Sequence, residues 1–179
     1  MSKRLRKQIA NKLISKLNDA IVQKSPSPTI DAPRERGISF APELIDLILA
    51  GKKTQTRRPF KPENDYTAGD RMWVRERWAK SARGYKLARL NPKARVRWQS
   101  PLYMPKLAAK LWLVVEAVRV EPIQSISIDD LRAEGFDESN AIDTFRSIWD
   151  SFYADQGLGW KAKPDVVVVM FRVESDWAN

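Results

Sequence analysis

Two stretches constrain the fold more than anything else in the chain. In residues 110–120, Leu111, Leu113, Val115 and Ala117 recur at every second position, and residues 165–173 are apolar almost throughout. Period-two alternation marks a strand with one buried face, whereas a continuous β-branched run marks a strand buried on both. Shorter strands are predicted at 37–40, 54–57 and 72–74, the last entered through the turn Ala68-Gly69-Asp70. Residues 79–108 lack clean periodicity and read as a long basic loop with one short strand at 95–98. Between these runs lie short helices. Pro42 opens one that carries Leu44, Ile45, Leu47, Ile48 and Leu49 and that Gly51 ends. Ser127 caps a second, with Asp129 and Asp130 in its first turn. Asp137 is placed to cap a third, whose buried face would be Ile142, Phe145, Ile148, Trp149 and Phe152. Strands separated by short helices, with no repeated strand–helix alternation, predict an α+β fold built on a small barrel rather than a doubly wound sheet.

The N-terminus has a different character. Leu5, Ile9, Leu13, Leu17 and Ile21 recur every four residues among lysines and arginines, so residues 1–24 read as a basic amphipathic helical arm. A Pro/Ser-rich linker follows over 25–36, and the globular domain is expected to span 37–179. The apolar stripe needs a surface to cover it. Residues 3–23 are therefore expected to dock on the domain, on a second copy or on a protein partner.

Composition removes whole classes of chemistry. Cysteine and histidine are both absent, which excludes disulfides, thiolate metal sites, the usual general base and the commonest metal ligand. Acid–base work must fall to Lys, Asp, Glu or Tyr, and neither cofactor nor metal is expected. No apolar run approaches the ~20 residues of a membrane span, and no secretory signal is legible, so a cytoplasmic location and no membrane contact are expected. Residues 52–110 hold seventeen basic and four acidic residues, a net charge of +13, whereas 111–179 carry a net −7. A basic block of that size fits contact with a phosphate backbone.

Several spaced motifs carry a resemblance. Leu49-Ala50-Gly51-Lys52-Lys53-Thr54-Gln55-Thr56-Arg57-Arg58 is followed by Gly69-Asp70-Arg71-Met72-Trp73-Val74-Arg75-Glu76, then Met104-Pro105, Val118-Arg119-Val120-Glu121, Arg132-Ala133-Glu134-Gly135-Phe136 and Phe145-Arg146-Ser147-Ile148-Trp149-Asp150-Ser151. Over residues 37–175 this order resembles ASCH-domain proteins, with the nearest likeness to the branch common in phages and prophages. The resemblance implies a PUA-like small β-barrel with flanking helices and a role in binding RNA or a modified nucleoside. Some ASCH proteins are amidohydrolases that deacetylate acetylcytidine. Carried over by motif, their catalytic lysine, threonine and glutamate fall on Lys53, Thr56 and Glu134.

That chemistry is coherent in these residues. Lys52, Arg57 and Arg58 flank Lys53, and like charges lower an ammonium's hold on its proton. A neutral Lys53 can then take the proton of Thr56, while Glu134 protonates the leaving amine. Three residues apart in an extended strand, Lys53 and Thr56 would face opposite sides, so the reading requires a turn at Lys53-Thr54. Lys52, Thr54, Arg57, Arg58, Trp73, Arg75 and Glu76 are expected to line the ligand site. Other readings stand beside these. The lysine–threonine edge can bind phosphate without catalysis, Glu134 can be a helix-end residue, and Glu76 can pair with Arg75, Arg77 or Arg57. Trp73 can be a core or cleft wall rather than a stacking platform. A third function is open as well, that of a phage accessory or structural protein docking through its N-terminal helix.

Overall fold

The computed structural model describes residues 33–137 and 139–174. The N-terminal arm and most of the linker lie outside the described residues. The strands are β1 (Glu35–Ser39), β2 (Gln55–Pro59), β3 (Arg71–Arg75), β4 (Trp78–Ser81), β5 (Gly84–Leu87), β6 (Trp112–Pro122) and β7 (Asp165–Val173). The helices are α1 (Pro42–Leu49), α2 (Ile128–Ala133) and α3 (Ala141–Tyr153). The first strand thus begins two residues before Gly37, and Arg34 is already tied to Asp65 and Asp70.

Five strands form one sheet in the order β1-β3-β6-β7-β2, antiparallel except for β1 against β3. As the continuous apolar run of β7 predicts, both its faces are covered. Val167, Val169 and Phe171 join Ile38, Ile45, Ile48, Met72, Val74, Leu113 and Val115 in the main core. Val166 and Val168 face the other way, against Leu131, Phe145 and Trp149 of α2 and α3. The alternation of β6 breaks once. A bulge between Val115 and Ala117 leaves Glu116 exposed and reverses the faces beyond it. Val118 therefore points to the main core, while Arg119 and Glu121 pair in register with Val168 and Val166 on the helix side.

The ladder does not close into the expected barrel: β1 and β2 are its edges. Pro59 has no N–H to offer another strand, which confines β2 to an edge. A side chain spans the gap instead, the Arg58 guanidinium donating to the Ser39 carbonyl at 2.9 Å.

Three local expectations need correction. Residues 79–108 contain the hairpin β4–β5, closed through Gly84 at a φ of 102°, a left-handed geometry that suits glycine. No strand forms at 95–98. Only Gln99, the next residue, makes a β-bridge there, to Trp78. Asp137 does not cap α3. It pairs with Arg132, and Asn140 occupies the cap position without a side-chain hydrogen bond. The stripe that α3 buries runs every four residues through Ala141, Phe145, Trp149 and Tyr153, so Ile142, Ile148 and Phe152 fall on its flanks and stay exposed. The cap of α2 is as predicted. Ser127 accepts from the Asp130 N–H, and the Asp130 carboxylate accepts from the Ser127 N–H.

One glycine sets how tightly β1 and β3 pack. A Cβ on Gly37 would lie 2.9 Å from the Trp73 ring and 3.0 Å from the Arg75 side chain. Gly37→Ala is expected to displace both and cost about 1–3 kcal/mol. A urea unfolding midpoint equal to the parent's would contradict this packing.

Candidate functional site

The end of α1 delivers Lys53. Gly51, at a φ of 70°, closes the helix. Its N–H reaches the Ile48 carbonyl at 3.0 Å, and the Lys52 N–H reaches the Leu47 carbonyl at 2.9 Å, which together form a Schellman stop. Thr54 then stitches this corner to two other elements. Its N–H donates to the Ala133 carbonyl at the end of α2, and its carbonyl accepts from the Phe171 N–H of β7, both at 2.8 Å. The turn falls earlier than the expected Lys53-Thr54, at Ala50-Gly51, and residues 52–54 run from it into β2.

From there the Lys53 side chain runs inward and is 2% exposed. Its Nζ donates to Glu134 Oε2 at 2.7 Å and to the Glu134 carbonyl at 3.0 Å. Glu134 sits at the C-cap of α2 and is 3% exposed, so it is not a free helix-end carboxylate. Gly135 follows at a φ of 96°, where a Cβ would meet the Leu47 side chain at 2.8 Å. Glycine at that position lets α1 and the end of α2 approach closely enough for the pair to form.

Glu134 also meets Arg57, whose Nη1 lies 3.1 Å from Oε1. Arg57 Nη2 reaches Glu121 at 2.7 Å and Asp130 at 3.1 Å. Across β7, Arg57 and Arg119 flank Val168 in register, and Arg119 is bound by the same two acids, Glu121 and Asp130. Lys53, Arg57 and Arg119 therefore stand against Glu121, Asp130 and Glu134 in one buried or half-buried cluster of balanced charge. Gln55 completes it, donating to the Asp130 carbonyl and carboxylate. Burial pushes the Lys53 ammonium below the usual lysine range. The Glu134 charge and hydrogen bond oppose that shift, and Arg58 and Arg57 add to it. Burial would push the Asp130 carboxyl up, but the hydrogen bonds from Ser127, Arg119 and Gln55 and the charge of Arg57 hold it well below the usual carboxylate range.

Strand alternation sends the neighbours of Arg57 to the opposite face. Thr56, opposite Val169, and Arg58, opposite Val167, lie on the main-core side. Among the described residues no hydrogen bond joins Thr56 to Lys53 or to Glu134. The two sides meet at Phe40, whose ring centroid is 5.8 Å from Lys53 Nζ and 5.4 Å from the Arg58 guanidinium. Lys53, Thr56 and Glu134 are thus drawn to one corner of the sheet, with Lys53 and Glu134 in contact and Thr56 three residues away on the core side.

The remaining expected residues divide. Lys52 and Thr54 expose their side chains at the same corner. Arg75 lies across Gly37 beside Trp73, and Trp73 is a half-buried wall against Trp112, with ring centroids 6.1 Å apart. Glu76 is buried and accepts both hydrogen bonds of Arg89, rather than pairing with Arg75, Arg77 or Arg57, so it anchors the start of the basic 76–110 excursion. Sequence reading missed Phe40, Arg89, Arg119 and Glu121 as parts of the site, and took Asp130 for a helix cap alone. The signal was the alternation of Arg119 and Glu121 along β6, which acquires meaning only once the bulge sets its phase. A cavity of about 410 Å³ opens beside this corner, lined by Ile48, Lys53, Thr54, Phe171 and Arg172 among others. Of the three residues expected to be catalytic, only Lys53 lines it. Among the described residues no acidic cluster is arranged to hold a metal ion, and no helix is long and apolar enough to cross a membrane.

No family model and no curated protein matches the chain. Solved structures do. An ASCH domain from Lactobacillus crispatus superposes with a TM-score of 0.50 at 13% identity, covering 78% of this chain and 79% of that one. A protein from Enterococcus faecalis gives 0.48 at 14% identity over 92% and 93% of the two chains. An ASCH protein from Zymomonas mobilis gives 0.42 at 16% identity over 78% and 69%. The first of these establishes that the chain has an ASCH-like fold.

The ion cluster makes a direct stability prediction. Glu134→Ala would leave Lys53 and Arg57 buried without one of their carboxylates, a change expected to cost about 3–5 kcal/mol. A loss below about 1 kcal/mol in urea unfolding would mean that the pair is not closed as described.

Proposed function

We propose that this chain is an ASCH domain that takes a modified nucleoside, free or within RNA, at the Lys53 corner and deacylates its exocyclic amine. The observation that carries the reading is the Lys53–Glu134 pair. An ammonium that serves phosphate must reach solvent, whereas this one is buried and neutralised by a carboxylate. Burial makes its proton easier to lose, which is what a base requires and a phosphate clamp does not. Arg57 is likewise spent on three acids.

In this reading Lys53 first releases its proton to solvent, and the neutral amine then takes the proton of Thr56 Oγ as that oxygen attacks the acyl carbonyl carbon. The tetrahedral intermediate then breaks its C–N bond, and the amine leaves with the proton that Lys53 returns. Water hydrolyses the acyl-threonine by the same route in reverse roles. Both Glu134 oxygens are occupied as acceptors from cationic donors. Its role is therefore to orient and electrostatically balance Lys53, and the proton donated to the leaving amine comes from Lys53 rather than from Glu134.

A second reading, a binding domain without turnover, is favoured by the lack of a hydrogen bond between Thr56 and Lys53. Incubation with acetylcytidine separates the two. Cytidine release is expected, and Lys53→Ala should lower kcat by roughly 100-fold or more while KM changes little, because a base acts chiefly in the transition state. An unchanged rate in the variant removes Lys53 from catalysis. No release by the parent protein leaves the binding domain.

A further inference from the structure

The segment between β3 and β6 departs from the rest of the chain in its charge. Residues 77–110 contain ten lysines and arginines and no aspartate or glutamate. Two of the ten are met by acids of neighbouring segments, Arg89 by Glu76 and Lys106 by Glu35. Arg77, Lys80, Arg83, Lys93, Arg95 and Arg97 are exposed, and among the described residues none of these six has an ion-pair partner. Like charges with no interleaved acid burden the folded state through mutual repulsion, and an anionic partner relieves it.

The segment is nonetheless packed. Trp78, Leu87, Met104, Ala108 and Ala109 form a small core of their own on Trp112 and Trp73. The β4–β5 hairpin pairs Lys80 with Tyr85, so these two side chains share a face, and the Tyr85 ring stands edge-on to Trp78 at 5.7 Å. Tyr103 is 72% exposed. Over 93–98 exposure alternates: Lys93, Arg95 and Arg97 are exposed, whereas Ala94, Val96 and Trp98 are half-buried. Exposed cations and accessible rings on packed backbone are the combination that binds a strand with unstacked bases. Position ties this platform to the candidate site. β1 and β3 run parallel with Ser39 opposite Arg75, so Phe40 and Glu76, the next residue of each, leave the sheet at the same end. Phe40 is the ring that approaches Lys53.

We propose that the 77–110 segment docks the backbone of a single-stranded polynucleotide, so that the nucleoside taken at the Lys53 corner is one residue of a strand. The proposal rests on the nucleoside reading above and adds the polymer that carries the nucleoside. Phosphates spaced along a strand are met by several solvent-facing cations rather than by one enclosed pocket. The exocyclic amine of cytosine lies on the edge that pairs in a duplex, and an enzyme reaches such an atom only on an unpaired or extruded base. An acidic protein would satisfy the same charges. The neighbouring corner, read as a nucleoside site, favours the polynucleotide.

Fluorescence anisotropy of the full chain with a short labelled single strand containing cytidine, as RNA and as DNA, tests this without requiring turnover. The matching duplex and polyglutamate serve as competitors. The single strand should bind, and its affinity should fall with salt by about 0.7 in the log–log slope for each phosphate neutralised. Combined Arg83→Gln, Arg95→Gln and Arg97→Gln should weaken binding roughly tenfold or more and flatten that slope by about 2. Lysine at the same three positions should retain most of the binding. Combined Arg146→Gln, Lys161→Gln and Lys163→Gln, which remove the same charge outside the segment, should leave affinity and slope nearly unchanged. Whichever of RNA and DNA binds tighter, the surface stands. Absent or salt-independent binding overturns it, as does an affinity that survives the first glutamine variant or falls equally in the second. Polyglutamate that competes as well as the strand would assign the segment to an acidic protein, and an equally competing duplex would remove the single strand; either overturns the proposal. Strand binding without release of cytidine from acetylcytidine would sink the hydrolase reading alone, and that release without strand binding would sink this surface alone.

Discussion

Arg57 and Arg119 flank Val168 on the face of the sheet that α2 and α3 cover, and the placement of the candidate site follows from how their charges are met. A guanidinium taken out of water costs several kcal/mol unless carboxylates meet it with good geometry. Glu121 comes from the same sheet, but Asp130 and Glu134 must be brought by α2. The helix is thus oriented by charge on one side and by Leu131 in the apolar core on the other. Once Glu134 is fixed at the end of α2, Lys53 has a buried carboxylate and carbonyl to reach. The backbone bond from Thr54 to Ala133 holds the two segments in that relation.

The bulge in β6 makes this possible. Leu113 and Val115 serve the main core, and with strict alternation Arg119 and Glu121 would follow them into it. One extra residue reverses the phase, so the first half of the strand builds the core and the second half builds the ion cluster. At the other end of the same constraint, the sheet stays open between β1 and β2. Arg58 crosses that gap as a side chain and keeps its charge unbalanced, whereas the charge of Arg57, one residue away, is fully met.

Much of this was legible in the chain. The two long strands, the Pro42 and Gly51 boundaries of α1 and the Ser127 cap each rest on local backbone rules, and each lies where those rules put it. Lys53 and Glu134, 81 residues apart, were joined by motif resemblance and not by any local signal. What escaped reading depends on partners distant in sequence. The β4–β5 hairpin has little apolar alternation to announce it. Asp137 is drawn to Arg132, and α3 buries the stripe its neighbours can cover rather than its most apolar one. Arg57 and Arg58 look alike in sequence. Only strand alternation against β7 distinguishes the cation met by three carboxylates from the one that donates to a backbone carbonyl.

The central claim is that burial makes Lys53 a weak holder of its proton despite the carboxylate beside it. Because the folded value lies below the unfolded one, the folded protein releases this proton first, and stability rises with pH through the interval between the two. The most direct test is a pH titration of the Lys53 Nζ by nitrogen-detected NMR, assigned by comparison with Lys53→Ala. The account predicts a midpoint below the ordinary lysine value of 10.5. A midpoint at or above that value would mean that the Glu134 pairing outweighs burial, and Lys53 would then be a structural cation rather than a base.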